Sequence, residues 1–207
     1  MHAAIAFPPT DLLQIEREVW TELSRAAYMP AHEWRRMVMS TLADDGWPDS
    51  RLMVVRECQP EERRLLIYTD ARSLKARQLQ ADGRATLVAW SSTLGWQLRM
   101  RCHIEVITSG LSVASRWARI RLTPAAQDYL FPVAPGSDLS EMPPAPDDWG
   151  DAPSAAMDAY PHPNTVAHHH FAVLSVTVQR LDWLALTAQG HRRARFDAPG
   201  KGRWIAP

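Results

Sequence analysis

Three short β-type runs follow one another with no helix between them: Arg36–Leu42, Arg51–Glu57 and Arg64–Thr69. Asp44-Asp45-Gly46-Trp47-Pro48 and Gln59-Pro60-Glu61-Glu62 separate them, and both segments carry turn chemistry. Strands joined by loops this short pair antiparallel, because a parallel pair needs a crossover of a dozen or more residues. The habit continues along the chain. Ala85–Trp90 and Trp96–Thr108 are two further strand-like runs, followed later by His170–Leu186, Arg192–Asp197 and a terminal Arg203–Pro207. Strands outnumber helices and keep hairpin order, which argues against a doubly wound parallel sheet. The expected fold class is mainly β: a small antiparallel barrel with peripheral helices.

The helical signals are few. Leu12, Leu13, Ile15, Val19, Trp20, Leu23 and Ala27 recur at helical spacing within 10–28, with Thr10 or Asp11 as N-cap. Asp70 to Asp82 predicts a short helix capped by Asp70 or Ser73. Val113–Tyr129 predicts another, broken at Pro124. Residues 132–165 read as a Pro-rich acidic loop: eight of the 16 prolines fall in 131–165, and 122–179 hold no Lys or Arg. No internal repeat is visible.

The formal net charge of zero and pI near 7 exclude a generic nucleic-acid or anionic-membrane binder. That zero is a cancellation. Residues 51–121 carry net +7 and 180–207 net +4, while 1–50 carry −4 and 122–179 carry −7. Two basic segments could fold together into a local anion site that the total conceals. No apolar run approaches the roughly 20 residues of a membrane span. The first nine residues lack the pattern of a signal peptide, and two cysteines make no disulfide framework, so a cytoplasmic location is expected.

No nucleophile or metal motif is present. His168-His169-His170 cannot all ligate one ion, since neighbours on a strand point to opposite faces. Cys58 and Cys102 read as inert packing residues. The chemistry lies in 51–101. Ser73-Leu-Lys75-Ala opens a helix directly after a strand, so hydroxyl and ammonium donors stand beside unpaired helix N–H groups, with Arg72 adjacent. That set suits a phosphate, and Arg51 could complete it. Arg51 and Arg56 are five apart and face opposite ways in a regular strand. They serve one site only through a bulge, or by facing different parts of a dimer.

Four pieces in order, Arg51-Leu-Met-Val-Val-Arg56, Ile67-Tyr68-Thr69-Asp70, Ser73-Leu-Lys75-Ala and Trp90-Ser-Ser-Thr-Leu-Gly-Trp-Gln97-Leu-Arg, resemble the pyridoxamine 5′-phosphate oxidase family of FMN-binding split β-barrels. The resemblance runs over about 36–108 and returns, weaker, at 171–207. It implies one split-barrel domain over 1–207, with the barrel in 34–108 and 168–207. It also implies an FMN cofactor, a homodimer with flavin at the interface, and hydride transfer with a small-molecule substrate. By position, Arg51, Ser73 and Lys75 would hold the FMN phosphate, and Tyr68 and Thr69 would line the ribityl and phosphate region. The Met53–Val54 backbone would lie beside the ring and Gln97 would bond its edge. Trp183 would pack on the flavin from the partner subunit, and Arg195 would contact the flavin. Arg56 and Arg193 stand at substrate positions. No protein residue need act as catalyst beyond the flavin itself.

The departures from the family pattern fall on the substrate side, apart from one missing phosphate arginine. Arg56 replaces a Lys, Ser-Leu-Lys-Ala lacks an Arg, and His191 and Arg193 stand in exchanged order. The chain therefore more closely resembles the wider oxidase-like group than the pyridoxine-phosphate oxidase itself. The alternatives are a non-catalytic flavin or B6-phosphate binder, and a split barrel that uses haem or a deazaflavin.

Overall fold

The computed structural model describes residues 11–130, 133–139, 170–188 and 190–207. In chain order they form α1 (Leu12–Tyr28), β1 (Arg36–Leu42), β2 (Pro48–Gln59), β3 (Arg64–Asp70), α2 (Leu74–Ala81), β4 (Arg84–Ser91), β5 (Trp96–Ile107), α3 (Leu111–Ile120), β6 (Phe171–Thr187), β7 (Gly190–Phe196) and β8 (Gly202–Ile205). Short 3₁₀ turns occupy Glu33–Arg35, Pro60–Glu62 and Pro124–Tyr129. The strands obey the period of two. β1 buries Met37, Met39 and Thr41, and β5 buries Trp96, Leu98, Met100, Cys102 and Ile104, with the intervening residues turned outward.

The strand order is β3-β2-β1-β4-β5-β6-β7-β8, and a further pairing of β3 with β6 closes six strands into an antiparallel barrel. β7 and β8 extend the sheet beyond the closure. The mainly β, antiparallel barrel expected from hairpin order is the fold found. The 17-residue β6 takes part both in the closure and in the pairing with β7.

Contacts divide the chain into two compact units, one of residues 1–68, 78–105 and 174–207, the other of residues 69–77 and 106–173. In the first, α1 buries Ile15, Val19, Trp20, Leu23 and Ala26 and packs on β2 and β8. Asp11 caps it, accepting from the backbone N–H of Leu13 and Gln14 at 3.3 and 3.1 Å. Glu16 ties the helix down: its carboxylate accepts from Arg63 Nη1 and from Gly200 N, both at 2.9 Å. Inside the barrel Trp34, Trp96 and Trp183 form a chain, with ring centroids 6.4 and 5.4 Å apart.

In the second unit α3 buries Val113 and Trp117, and Trp117, Tyr129 and Phe171 pack as a triangle with centroids 5.1 to 6.5 Å apart. His170 links its parts: its N–H donates to Tyr129 O at 3.0 Å and its carbonyl accepts from Ala71 N at 2.7 Å. Of the Pro-rich loop 132–165 only 133–139 are described, and His168 and His169 also lie outside the described residues.

Candidate functional site

Two of the candidate residues, Thr69 and Ser73, meet at the start of α2. Thr69 and Ser73 are buried, and their hydroxyl oxygens are 3.4 Å apart. Lys75 is half-buried on the first turn. Asp70 does not cap the helix; its carboxylate accepts from Arg72 N at 2.7 Å and pairs with the Arg72 guanidinium. Ser73 occupies the cap position, its carbonyl accepting from Arg77 N, while its hydroxyl donates to Asp70 O at 2.7 Å. Hydroxyl, hydroxyl and ammonium on one short stretch are the donor set a phosphate needs.

Arg51 turns toward the inward side of β2. It donates to Thr41 Oγ1 at 2.6 Å and to Gln78 Oε1 at 3.2 Å, and it pairs with Asp49. Thr41 and Gln78 are both buried, so Arg51 is held in a polar network with them. Met53 shares that side and is buried. Val54 lies on the outward side, paired with Arg36, and Gln97 is outward on β5, paired with Trp90. The structure therefore separates Arg51 from Val54 and Gln97 by the thickness of the sheet.

β2 carries a bulge. Val55 pairs with Ile67 but Glu57 with Leu66, which leaves Arg56 as the extra residue. Arg56 stacks over the Tyr68 ring at 5.9 Å, and the Tyr68 hydroxyl donates to Glu57 Oε1 at 2.7 Å. Arg35 lies near Arg56 and Arg36; burial first, then these two charges, lowers its pKa. The bulge is one of the two routes the spacing of Arg51 and Arg56 allows. It brings Arg56 to Tyr68.

Trp183 is fully buried, edge-on to Trp96. Its neighbour Asp182 faces the other way, into a group of arginines. Arg193 grips Asp182 with both Nε and Nη2 at 2.9 Å, and Arg99 Nη2 adds a bond at 2.8 Å. Burial opposes ionisation of Asp182, but the bonds and charges of Arg193 and Arg99 outweigh it and hold its carboxyl below the ordinary range. Arg195 stands 3.5 Å from Asp197, which also pairs with Arg180 and Arg203. The sequence alone gives Asp182, Arg99 and Arg180 no role, although Arg99 ends one of the motifs that carry the resemblance. The signal was there: Arg99-Met-Arg101, Arg180-Leu-Asp182 and Arg193-Ala-Arg195 each repeat charge at a spacing of two, the mark of one charged strand face.

The thiols are poor nucleophiles. Burial pushes Cys58 up to about 11 and Cys102 up to about 12. No cluster of three metal-ligating side chains occurs among the described residues. Nor is any of their helices long and apolar enough to cross a membrane.

A family model described as pyridoxamine 5′-phosphate oxidase matches residues 30–139, more than half of the chain. The chain belongs to the pyridoxamine 5′-phosphate oxidase family. Curated relatives named pyridoxine/pyridoxamine 5′-phosphate oxidase agree. One from Synechocystis is 33% identical over 103 residues, 50% of this chain and 46% of the relative. One from Azorhizobium caulinodans is 32% identical over 87 residues, 42% and 40% of the two chains. The chain thus spans less than half the length of these relatives. Among solved structures, a pyridoxamine 5′-phosphate oxidase-related, FMN binding protein from Nostoc punctiforme superposes with a TM-score of 0.68 at 21% identity, covering 92% of this chain and 97% of its own. PhzG from Burkholderia lata, solved with tetrahydrophenazine-1-carboxylic acid, superposes at 0.64 and 17% identity, covering 100% and 98%. At these identities the likeness is one of fold. The family match contains Arg51, Arg56, Tyr68, Thr69, Ser73, Lys75 and Gln97; it does not reach Trp183, Arg193 or Arg195.

Proposed function

We propose that this member of the pyridoxamine 5′-phosphate oxidase family binds FMN and works as a flavin-dependent oxidoreductase, a homodimer with flavin at the subunit interface. The observation that carries the reading is the pair of buried hydroxyls of Thr69 and Ser73, 3.4 Å apart, with Lys75 on the first turn of α2, inside the matched segment. These groups fit a phosphate dianion, which takes hydroxyl and ammonium donors together with helix N–H groups. Arg51 stands at a phosphate position of the family and would add a guanidinium donor. Bound FMN would supply the two-electron chemistry, accepting hydride from a small substrate.

The chain's own residues bind and orient. Gln97 would bond the ring edge, beside the Met53–Val54 backbone, with Tyr68 toward the ribityl chain. Arg195 would place positive charge near the ring, where reduction adds negative charge. Arg56 and Arg193 would face the substrate. Trp183 is fully buried against Trp96 and so has no ring face open for the flavin contact expected from the resemblance; it would instead hold Trp96, directly before Gln97. No thiol or metal cluster is called on, in keeping with chemistry carried by a flavin.

The test is direct. Purified untagged protein should be yellow or should take up added FMN. Lys75→Ala should weaken that binding by about 1.5–3 kcal/mol, the range for a hydrogen bond to a charged group. Protein that binds no added FMN overturns the reading. Binding without turnover on any reductant would identify a carrier, and a Soret band would identify haem.

A further inference from the structure

Outward-facing charge crowds one side of β5, β6, β7 and β8. Six guanidinium groups (Arg99, Arg101, Arg180, Arg193, Arg195 and Arg203) meet only two carboxylates, Asp182 and Asp197. Arg99 and Arg193 take Asp182, while Arg180, Arg195 and Arg203 share Asp197. Arg101 has no carboxylate partner among the described residues. Arg195 Nε is buried and makes no hydrogen bond; the Asp197 oxygen 3.5 Å away is too far. Arg99, Arg101, Arg180, Arg195 and Asp182 line a cleft of about 60 Å³, room for one small group and not for a ring system. Four arginines line the cleft against one carboxylate, Asp182, so an anion entering it would relieve their mutual repulsion.

We propose that this cleft binds a single oxyanion, the phosphoryl or carboxylate group of a small ligand, on Arg99, Arg101, Arg180 and Arg195. Asp182 is the positioning residue: its two-pronged grip on Arg193 and its bond to Arg99 set the direction in which those forks point. The site goes beyond the FMN reading. Neither Ser73 nor Lys75 takes part, and Arg195 alone is common to both. Where the flavin reading also holds, and resting on it, the oxyanion belongs to the substrate, because the residue placed at the ring also lines the cleft.

Calorimetric titration of the purified full chain at low ionic strength, with FMN in excess to occupy the Ser73–Lys75 cluster, tests this with two probes, inorganic phosphate and acetate. At least one should bind saturably, one per chain, and the tighter of the two identifies phosphoryl or carboxylate as the natural group. Arg101→Gln and Arg180→Gln should each weaken binding at least tenfold and leave FMN affinity at that of the parent chain. Asp182→Asn discriminates further. A merely basic surface would bind anions more tightly once a carboxylate is gone, whereas a positioned site binds them more weakly. Absence of saturable binding, or indifference to Arg101→Gln and Arg180→Gln, overturns the proposal. Arg101 and Arg180 have no part in the FMN reading, so FMN affinity and anion affinity of these two variants are read separately and failure of one reading does not pass for failure of the other.

Discussion

Glu33 sits on the 3₁₀ turn before β1, and its carboxylate gathers the turn between β4 and β5. It accepts from the Ser91 hydroxyl, from Ser92 N at 3.0 Å, from the Ser92 hydroxyl at 2.5 Å and from Thr93 N at 3.1 Å. Burial pushes its pKa up, but these bonds outweigh burial and bring it down to about 2. A carboxyl depressed in the folded state lends stability above its ordinary value near 4.5, and loses it as the pH falls toward 2. Glu33→Gln should therefore unfold more easily at pH 7, by about 1 kcal/mol, a modest figure because Glu33 is exposed. The variant should also show a flatter loss of stability between pH 4.5 and 2 than the parent chain. Urea titrations across that range decide it; parallel curves for the two proteins would remove the clamp. The turn itself is legible in Ser91-Ser92-Thr93-Leu94-Gly95, but its acceptor lies 58 to 60 residues earlier and has no local signal.

At the scale of elements, period two carries most of what can be read. Arg36–Leu42 is a strand with the bounds its pattern predicts, and Trp96–Thr108 is off by one residue. The bulge at Arg56 is another matter. Its spacing from Arg51 shows that something must give, but which device resolves it depends on how β3 pairs, a non-local event. The same holds for the β3–β6 closure, whose partners are more than a hundred residues apart, and for Asp182, which meets Arg99 across 83 residues. The donor cluster at Ser73 and Lys75 was legible because it is local, a strand end followed by a helix start. Gly83, at the join of α2 and β4, reads only as a turn residue, yet its backbone passes so close to β5 that a Cβ there would meet His103 Cε1 at 2.6 Å and Ile104 O at 2.9 Å. Its carbonyl also accepts from Ile104 N at 2.7 Å. Gly83→Ala must shift that contact, and overpacking of this kind costs about 1–3 kcal/mol. A thermal melt of the variant should show the loss, and an unchanged melting temperature would mean that the two segments separate freely.

For the molecule as a whole, zero net charge conceals a barrel with two unlike outer faces. One is the arginine face of β5 to β7. The other is apolar and spans β2, β1 and β4. Leu52 pairs with Val38 and Val38 with Val88, so three aliphatic residues cross the sheet in one line, with Trp90 two residues along β4. Leu52 is 66% exposed, Trp90 46% and Val38 38%. Scattered exposed aliphatics are ordinary, but a line of them with an indole alongside is what a self-complementary two-fold interface presents. Val54 and Gln97, the outward-facing residues assigned to the flavin ring, belong to the same sheet surface. Closing two copies over it would cover apolar area and exclude water from a ring held there. Leu52→Glu with Trp90→Glu places two charges on that face without opposing each other across a strand pair, so the barrel itself should keep its far-UV circular dichroism. Sedimentation should then show the parent chain as a dimer and the variant with a dissociation constant raised at least tenfold, about 1.4 kcal/mol. FMN affinity should fall with it, since each flavin would lose half of its enclosure. A parent chain that sediments as a monomer, or a variant that remains a dimer, would move the interface elsewhere and leave this apolar face without a partner.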